Sequence, residues 1–301
     1  MKPGKPLNLS IITVVKDDLR GLRQTAKSII EQSQNPMEWI IVDGESGPEM
    51  SKYLESLSDF PFIQTSTAPP KGIYNAMNRA TETASGEWLW FINAGDVLIN
   101  FEVIENLKRT IPGSEDFGIV ATPVIQTTPS GYFYSFTSPT LQRTTEKFVA
   151  NFHHQGCLIK RDKFRETGGY DEELELAADG KLLESIAESS QVMILDSPLV
   201  VFQLGGRSWK YLRKTLDEID TYRVSGQTHL QRNITVFKNS LRVFVLPVNP
   251  GYLVRKYLEH RQKVLFDKNP WGISAENIDA KLKKVPRFVN ILNTEKFHND
   301  I

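Results

Sequence analysis

Residues 71–96 read KGIYNAMNRATETASGEWLWFINAGD, and this stretch decides the class of fold. The segment from Ile73 to Ala84 has the spacing of a helix that stops near Gly86. Residues 88–92, WLWFI, are a short apolar run typical of a strand buried on both faces. The polar turn Asn93-Ala94-Gly95-Asp96 follows directly. Helix, buried strand and polar turn in this order indicate a parallel α/β sheet.

The same pattern continues towards the N-terminus. Two further apolar runs, LSIITVV and WIIV, have the composition of buried strands, and the second ends in Asp43-Gly44. We therefore predict an α/β fold, a Rossmann-like and mostly parallel sheet with helices on both faces. Its first elements are expected at Leu9–Val15 (strand), Leu19–Glu31 (helix), Trp39–Val42 (strand), Pro48–Leu57 (helix) and Phe62–Thr65 (strand).

The second half of the chain predicts two different regions. Strands are expected at Phe117–Ile125 and Gly131–Thr137, with Val192–Leu195 and Leu199–Leu204 as a closing β pair. From about Trp209 the pattern becomes helical and rich in Lys, Arg and aromatic residues. Helices are expected at Tyr211–Val224, Gln227–Leu246 and Tyr252–Phe266. The sequence thus predicts a catalytic-type α/β domain over residues 1–208 and a basic helical extension over residues 209–301.

Composition excludes several classes of protein. The 301 residues carry 36 Lys and Arg against 36 Asp and Glu, so we expect no nucleic-acid partner. The single cysteine, Cys157, excludes an intramolecular disulfide and a cysteine-based zinc site. Neither a signal-peptide pattern nor an apolar run of membrane-spanning length occurs, so the expected location is cytoplasmic. Residues 1–206 hold 18 basic and 27 acidic side chains, whereas residues 207–301 hold 18 and 9.

Polar residues directly after the predicted strands are the first candidates for a site. In an open α/β sheet, ligands bind beyond the carboxyl ends of the strands. Lys16, Asp17 and Asp18 follow the first strand, Asp43 the second, and Asn93 with Asp96 the strand at 88–92. Carboxylates meeting at one edge repel one another unless a cation lies among them. No G-x-G-x-x-G or Walker sequence occurs, which argues against a dehydrogenase and a P-loop NTPase.

Six segments, taken in order, resemble family-two glycosyltransferases of the GT-A fold. They are IITVV, WIIVDGES, the quoted stretch from 71 to 96, HHQG, GGYDEELELAADGKLL and FQLGGRS. The resemblance covers about residues 8–208 and implies that the domain over residues 1–208 is a nucleotide-sugar-binding catalytic domain. It is greatest to the branch that builds bacterial capsule, colanic-acid and O-antigen polysaccharides.

This resemblance implies roles for four aspartates and an asparagine. Asp43 stands where the family has a carboxylate that contacts the nucleotide base, and Asp17 or Asp18 would lie on the nucleotide side. Asp96 occupies the last acidic position of the family's metal motif, which reads N-A-G-D here instead of D-x-D-D. Asn93 therefore belongs to the donor site, and Asp96 is the one carboxylate ligand for Mn²⁺ or Mg²⁺. Asp179 stands where the family has its catalytic base.

Three further residues are candidates with a structural alternative beside each. His153 and His154 are adjacent and would point to opposite sides of a strand. We therefore expect His154 and Gln155 to face the acceptor or the diphosphate, the alternative being a structural histidine pair. Arg207, in Gly-Gly-Arg-Ser, is expected to grip the diphosphate, the alternative being a plain turn. Likewise Asp43 could only cap a helix and Asp96 could only close a turn.

The sequence is thus interpreted as an inverting, metal-dependent glycosyltransferase. It would move a sugar from a nucleotide donor, a UDP-sugar, to a hydroxyl of a surface polysaccharide or lipid-linked oligosaccharide. One alternative is a sugar nucleotidyltransferase, although the glycine-rich loop of that class is absent. The other is a non-catalytic binding subunit with a degenerate metal motif.

The basic C-terminal extension has two open interpretations. Residues 241–246, LRVFVL, and the nearby Tyr252-Leu253-Val254 resemble an amphipathic anchor lying in the membrane plane. The extension would then bring the enzyme to the inner face of the cytoplasmic membrane as a peripheral protein. Alternatively, these helices pack on the catalytic domain or form a homodimer interface.

Overall fold

The computed structural model describes residues 7–111, 117–127, 133–143, 148–204 and 206–224. Thirteen strands and eight helices lie in these ranges. The strands are β1 Leu9–Val15, β2 Glu38–Asp43, β3 Ile63–Thr67, β4 Trp88–Phe91, β5 Val97–Leu98, β6 Phe117–Ala121, β7 Val124–Thr127, β8 Phe133–Thr137, β9 Thr140–Arg143, β10 Phe148–Asn151, β11 Cys157–Lys160, β12 Gln191–Ile194 and β13 Val200–Gln203. The helices are α1 Leu19–Ile30, α2 Pro48–Ser56, α3 Ile73–Thr83, α4 Val103–Thr110, α5 Arg161–Glu166, α6 Ala178–Ser189, α7 Arg207–Lys210 and α8 Leu212–Val224.

A seven-stranded sheet forms the centre of the fold, in the order β12-β6-β11-β4-β1-β2-β3. Strands β4, β1, β2 and β3 run parallel to their neighbours in that series. Only β11 is antiparallel to its two neighbours, β4 and β6. The predicted mixed α/β fold with a mostly parallel sheet is therefore confirmed.

The sheet separates two hydrophobic layers. Successive side chains of a strand point to opposite faces, so Ile11 packs into one layer with Trp39 and Trp90. Ile12 packs into the other layer with Phe91. Every residue of β1, β2 and β4 is buried, which explains why these strands are continuous apolar runs.

Two expected strand arrangements were wrong. The run Phe117–Ile125 breaks at Pro123, because proline has no N–H to continue the ladder. Its first part, β6, stays in the central sheet, and its second part, β7, joins a second sheet in the order β5-β13-β7-β8. The expected closing pair does not form either, since β12 pairs with β6 and β13 pairs with β5 and β7.

A buried carboxylate closes the end of the sheet where β1 and β4 begin. Glu38, only 5% exposed, accepts hydrogen bonds from the Ser10 hydroxyl, the Ser85 hydroxyl and N–H, the Gly86 N–H and the Gln64 amide. Burial by itself would raise the pKa of Glu38, but these donors together hold it below its ordinary value. Glu38 thereby joins β1, β2, β3 and the turn before β4.

The chain divides into two compact units between Gly206 and Arg207. In the second unit, α8 matches the helix expected at Tyr211–Val224, and the short helix α7 precedes it. The helices expected at Gln227–Leu246 and Tyr252–Phe266 lie outside the described residues, so the interpretations of the C-terminal extension stay predictions. Within the part of the chain that is described, no helix has both the length and the apolarity to cross a membrane.

Replacing Glu38 tests whether its hydrogen bonds hold β1, β2, β3 and the turn before β4 together. We expect Glu38→Ala to lower the free energy of unfolding by roughly 2–4 kcal/mol, because the N–H groups of Ser85 and Gly86 lose a buried acceptor. Glu38→Gln keeps an acceptor and should cost less. Urea unfolding of the three proteins measures both differences.

The pH dependence gives a second readout for the same variants. Because the folded pKa of Glu38 is depressed, its charge contributes stability that is complete above about pH 4.5 and is lost as the pH falls through the folded pKa. Glu38→Gln should lack this loss. Equal acid sensitivity of Glu38→Gln and the native chain would contradict the assignment.

Candidate active site

The loop after β4 lies at the carboxyl edge of the sheet and is fixed by helix α1. The Thr25 hydroxyl donates a 2.7 Å hydrogen bond to the Asp96 carbonyl, and the Gly95 N–H donates to the same hydroxyl. Gly95 has φ of 95°, a left-handed conformation that glycine adopts without strain. Asp96 is 3% exposed, so its carboxylate is held beneath the surface of this edge.

Two buried oxygens of this loop have no hydrogen-bond partner among the described residues. They are Oδ1 of Asn93 and Oδ2 of Asp96. Burial raises the pKa of Asp96 to about 7, although His154, the backbone N–H groups of Gln203 and Asn93 and the Gln155 side chain act in the opposite direction. Unsatisfied buried acceptors are costly, so these two oxygens are candidates to meet a donor or a cation that the described residues do not supply.

Asp179 lies in the first turn of α6 and is held by two side chains. The Tyr74 hydroxyl donates to Oδ1 at 3.0 Å, and Nδ1 of His154 lies 2.8 Å from Oδ2. Burial would raise the pKa of Asp179, but the hydrogen bond from His154, followed by those from Tyr74 and the Gly180 N–H, keeps it below its ordinary value. The carboxylate is therefore ionised near neutral pH, and its side chain is 27% exposed.

His154 connects Asp179 to the loop after β4. It begins a 3₁₀ turn directly before β11, and because β11 is antiparallel to β4, this turn lies where β4 ends. Its Nε2 lies 3.2 Å from Nδ2 of Asn93. The structure thus joins Asn93, His154 and Asp179 by direct contacts, with Asp96 in the same loop as Asn93.

The neighbours of His154 have structural contacts. The His153 ring lies 3.0 Å from the Gln126 amide, and burial lowers the pKa of His153 to about 4. The Gln155 carbonyl accepts from the Trp90 indole, and the residue is 4% exposed. The two adjacent histidines therefore contact different partners, although His154 begins a 3₁₀ turn and the pair does not lie in a strand.

The candidates after β1 and β2 lie at the same edge of the sheet. Asp43 ends β2, pairs with Val15 and is 1% exposed. Its two carboxylate oxygens accept from the N–H and the hydroxyl of Ser46, and that hydroxyl also accepts the Asp17 N–H. Asp43 thus closes its own turn rather than capping α2. Asp18 caps α1 by accepting the Gly21 N–H at 2.8 Å.

Helix α3 carries polar contacts that the sequence interpretation did not anticipate. Asn78 donates to the Tyr170 carbonyl and accepts the Tyr170 N–H. Asn75 and Asn78 both donate to the Glu172 carboxylate. Together with the bond from Tyr74 to Asp179, these contacts dock the segment before α6 on one face of α3. The signal was present in the quoted stretch, where Tyr74 and Asn78 recur at helical spacing.

Two predicted features stay untested by this geometry. Arg207 begins α7 in the second unit, and its contact with a diphosphate remains a prediction. Across the described ranges, no three His, Cys, Asp or Glu side chains form a group able to hold a metal ion by themselves. A cation at Asp96 would therefore need ligands beyond these side chains.

This mainly parallel α/β sheet matches the fold of GT-A glycosyltransferases, the class of the solved structures that this chain resembles. The model of the family described as glycosyl transferase family 2 matches residues 10–168. The chain belongs to this family.

Curated relatives agree with that assignment. An uncharacterized glycosyltransferase of Mycobacterium tuberculosis is 28% identical over 183 residues, which are 58% of this chain and 67% of the relative. A PGL/p-HBAD biosynthesis glycosyltransferase of Mycobacterium bovis is 28% identical over 156 residues, which are 50% of this chain and 59% of the relative. In both cases the matched region is a part of the relative's length.

Solved structures show the same fold at low sequence identity. S. aureus TarS 1–349 in complex with UDP-GlcNAc has a TM-score of 0.56 at 14% identity, covering 94% of this chain and 79% of that one. The mannosyltransferase PcManGT from Pyrobaculum calidifontis, in complex with GDP-Man and Mn²⁺, has a TM-score of 0.56 at 13% identity, covering 96% and 87%.

Replacing the carboxylates of Asp96 and Asp179 by amides should change the free energy of unfolding in opposite directions. The pKa of Asp96 is about 7 in the fold and about 3.9 unfolded, so its charge costs stability above the unfolded value. We expect Asp96→Asn to raise the free energy of unfolding of the ligand-free protein at pH 8 by roughly 1–4 kcal/mol, and by less at pH 5.

Asp179→Asn is the matched comparison for this prediction. It replaces a carboxylate that already has two donors, so it should lower stability at pH 8. Thermal or urea unfolding at both pH values measures the two effects. Destabilisation by Asp96→Asn at both pH values would show that its carboxylate is satisfied in the fold.

Proposed function

We propose that this chain is an inverting glycosyltransferase that moves a sugar from a UDP-sugar to an acceptor hydroxyl. The observation that carries the proposal is the line of contacts from Tyr74 through Asp179 and His154 to Asn93, with the unsatisfied Asp96 in the same loop. The ionised, partly exposed carboxylate of Asp179 suits removal of the acceptor proton. The buried acceptors of Asn93 and Asp96, unsatisfied among the described residues, suit the binding of a cation at the departing diphosphate.

Asp179 is the general base of the proposed reaction. Two of its lone-pair sites are occupied by Tyr74 and His154, which leaves others for an acceptor hydroxyl. The acceptor oxygen forms a bond to the anomeric carbon while the bond from that carbon to the phosphate oxygen breaks. The electron pair leaves with the nucleoside diphosphate, and the hydroxyl proton passes to the carboxylate. A single displacement of this kind inverts the anomeric configuration.

Asp96 is the proposed ligand of Mn²⁺ or Mg²⁺. The fit rests on its buried Oδ2, an unsatisfied hard oxygen of the type these cations prefer. A bound cation would neutralise charge on the departing diphosphate. Asp96 itself contributes a carboxylate oxygen beneath the edge, and the bonds of Thr25 with the Asp96 carbonyl and the Gly95 N–H hold the backbone of its loop in place.

Asp43, Asp17 and Asn93 are the proposed residues on the nucleotide side, with Arg207 on the diphosphate. The ordered turn closed by Asp43 and Ser46 offers a preformed surface beside β1. The related folds bind UDP-GlcNAc in one protein and GDP-Man in another. We propose uridine on the family resemblance, and a screen with both nucleotides tests that choice.

The acceptor is proposed to be a growing surface polysaccharide or a lipid-linked oligosaccharide. This rests on the resemblance to polysaccharide-building enzymes and on the basic balance of residues 207–301, with 18 basic and 9 acidic side chains. A segment with this excess of basic side chains is attracted to anionic lipids. The protein would then work at the inner face of the cytoplasmic membrane, and a homodimer through the same extension is the alternative use of that surface.

A donor screen with Asp179 and Asp96 variants tests the proposed function. We expect donor hydrolysis or transfer with one nucleotide sugar and Mn²⁺, releasing a nucleoside diphosphate. Asp179→Asn should lower kcat by about 10²- to 10⁴-fold while nucleotide-dependent thermal stabilisation persists. Asp96→Asn should remove the Mn²⁺ dependence of that stabilisation.

The control is Asp162→Asn, which changes an exposed carboxylate on α5 and should behave like the native protein. Release of pyrophosphate would favour a nucleotidyltransferase instead. Nucleotide-sugar binding without turnover in the native protein, or full activity of Asp179→Asn, would favour a non-catalytic binding subunit or another base.

A further inference from the structure

His154 occupies a position between the two halves of the candidate active site. Its ring is 13% exposed, with Nδ1 at 2.8 Å from Asp179 and Nε2 at 3.2 Å from Asn93. Both ring nitrogens are therefore used within the protein. A histidine that only bound the acceptor would leave one nitrogen directed at the open site.

The hydrogen-bond partners determine where the ring proton lies. Oδ2 of the ionised Asp179 can only accept, so Nδ1 of His154 carries a proton and donates it. In the neutral ring, Nε2 is then an acceptor, and the Asn93 amide must donate through Nδ2. This orientation turns Oδ1 of Asn93 away from His154, which agrees with Oδ1 being buried without a partner among the described residues.

We propose that His154 is a positioning residue for Asp179, a role that rests on the proposed function. It fixes the orientation of the carboxylate relative to the loop of Asn93 and Asp96, so that the base and the donor side keep one geometry. Tyr74 anchors the other carboxylate oxygen to α3. With both oxygens anchored, the carboxylate cannot rotate freely, and its remaining lone pairs keep a fixed direction.

Other titratable groups near Asp179 do not change charge near neutral pH. Burial raises the pKa of Tyr170 and Cys157, so both stay protonated, and burial lowers the pKa of His153 to about 4, so that ring stays neutral. His154 and Tyr74 are thus the partners whose removal changes the environment of the carboxylate. Losing either donor raises the pKa of Asp179 and moves the acid limb of the rate profile to higher pH.

Two amide substitutions separate the two contacts of His154. The side-chain nitrogen of asparagine can replace Nδ1, and the amide of glutamine reaches the position of Nε2. We expect His154→Ala to lower kcat by about 10- to 100-fold and to leave the donor KM within about twofold. It should also shift the acid limb of the pH–rate profile to higher pH. His154→Asn should restore the acid limb and much of kcat, whereas His154→Gln should not. Tyr74→Phe should also shift the acid limb to higher pH, but it should preserve the contact between His154 and Asn93.

Specific outcomes would overturn the inference. One is an unchanged kcat and acid limb in folded His154→Ala. Another is a raised acceptor KM with an unchanged acid limb, which would make His154 an acceptor ligand. Asp179→Asn separates this failure from failure of the proposed function. If Asp179→Asn is inactive while His154→Ala is normal, only the positioning role fails, and if Asp179→Asn is fully active, the base assignment fails too.

A measurement without turnover completes the test. The chain has five histidines, and comparison with His154→Asn assigns the His154 signals in ¹⁵N-histidine NMR spectra of the full chain. We expect a proton on Nδ1 in the native protein and in Tyr74→Phe. An Nε2–H tautomer with an unprotonated Nδ1 would overturn the proposal even if every variant changed activity.

Discussion

The constraint on which the rest of this structure depends is the burial of β1 between two parallel strands. All seven residues of β1 are buried, and β2 and β4 flank it in the same direction. A strand without an exposed face can present polar groups only at its ends. The polar segments after β1, β2 and β4 therefore meet at one edge, while the opposite edge is closed by the satisfied carboxylate of Glu38.

Within that edge, two carboxylates are placed in opposite environments. Asp179 has donors on both oxygens and a pKa below its ordinary value, whereas Asp96 has an unsatisfied oxygen and a pKa of about 7. Environments that push two pKa values apart are how one site assigns different tasks to identical groups.

The sequence was informative wherever the chemistry is local. Buried apolar runs identified β1, β2 and β4, and the turns after them identified Asp43, Asn93 and Asp96. Strand pairing was less predictable, because β11 has only four residues and Pro123 divides what reads as one strand. Contacts between distant segments were not predictable at all, since Tyr74 and Asp179 are 105 residues apart and meet only through the fold. The resemblance supplied the proposed role of Asp179, and the structure supplied its partners.

The reversed strand β11 also has a consequence for how the chain is made. Until Cys157–Lys160 docks, the outer side of β4 is an open edge of large apolar residues, Trp88–Phe91. More than sixty residues separate the two strands, so a ribosome completes β4 well before its cover. Exposed edges of this kind pair readily with other chains. A chain that terminates between these strands is thus prone to aggregate. During synthesis the edge of β4 stays exposed until β11 pairs with it.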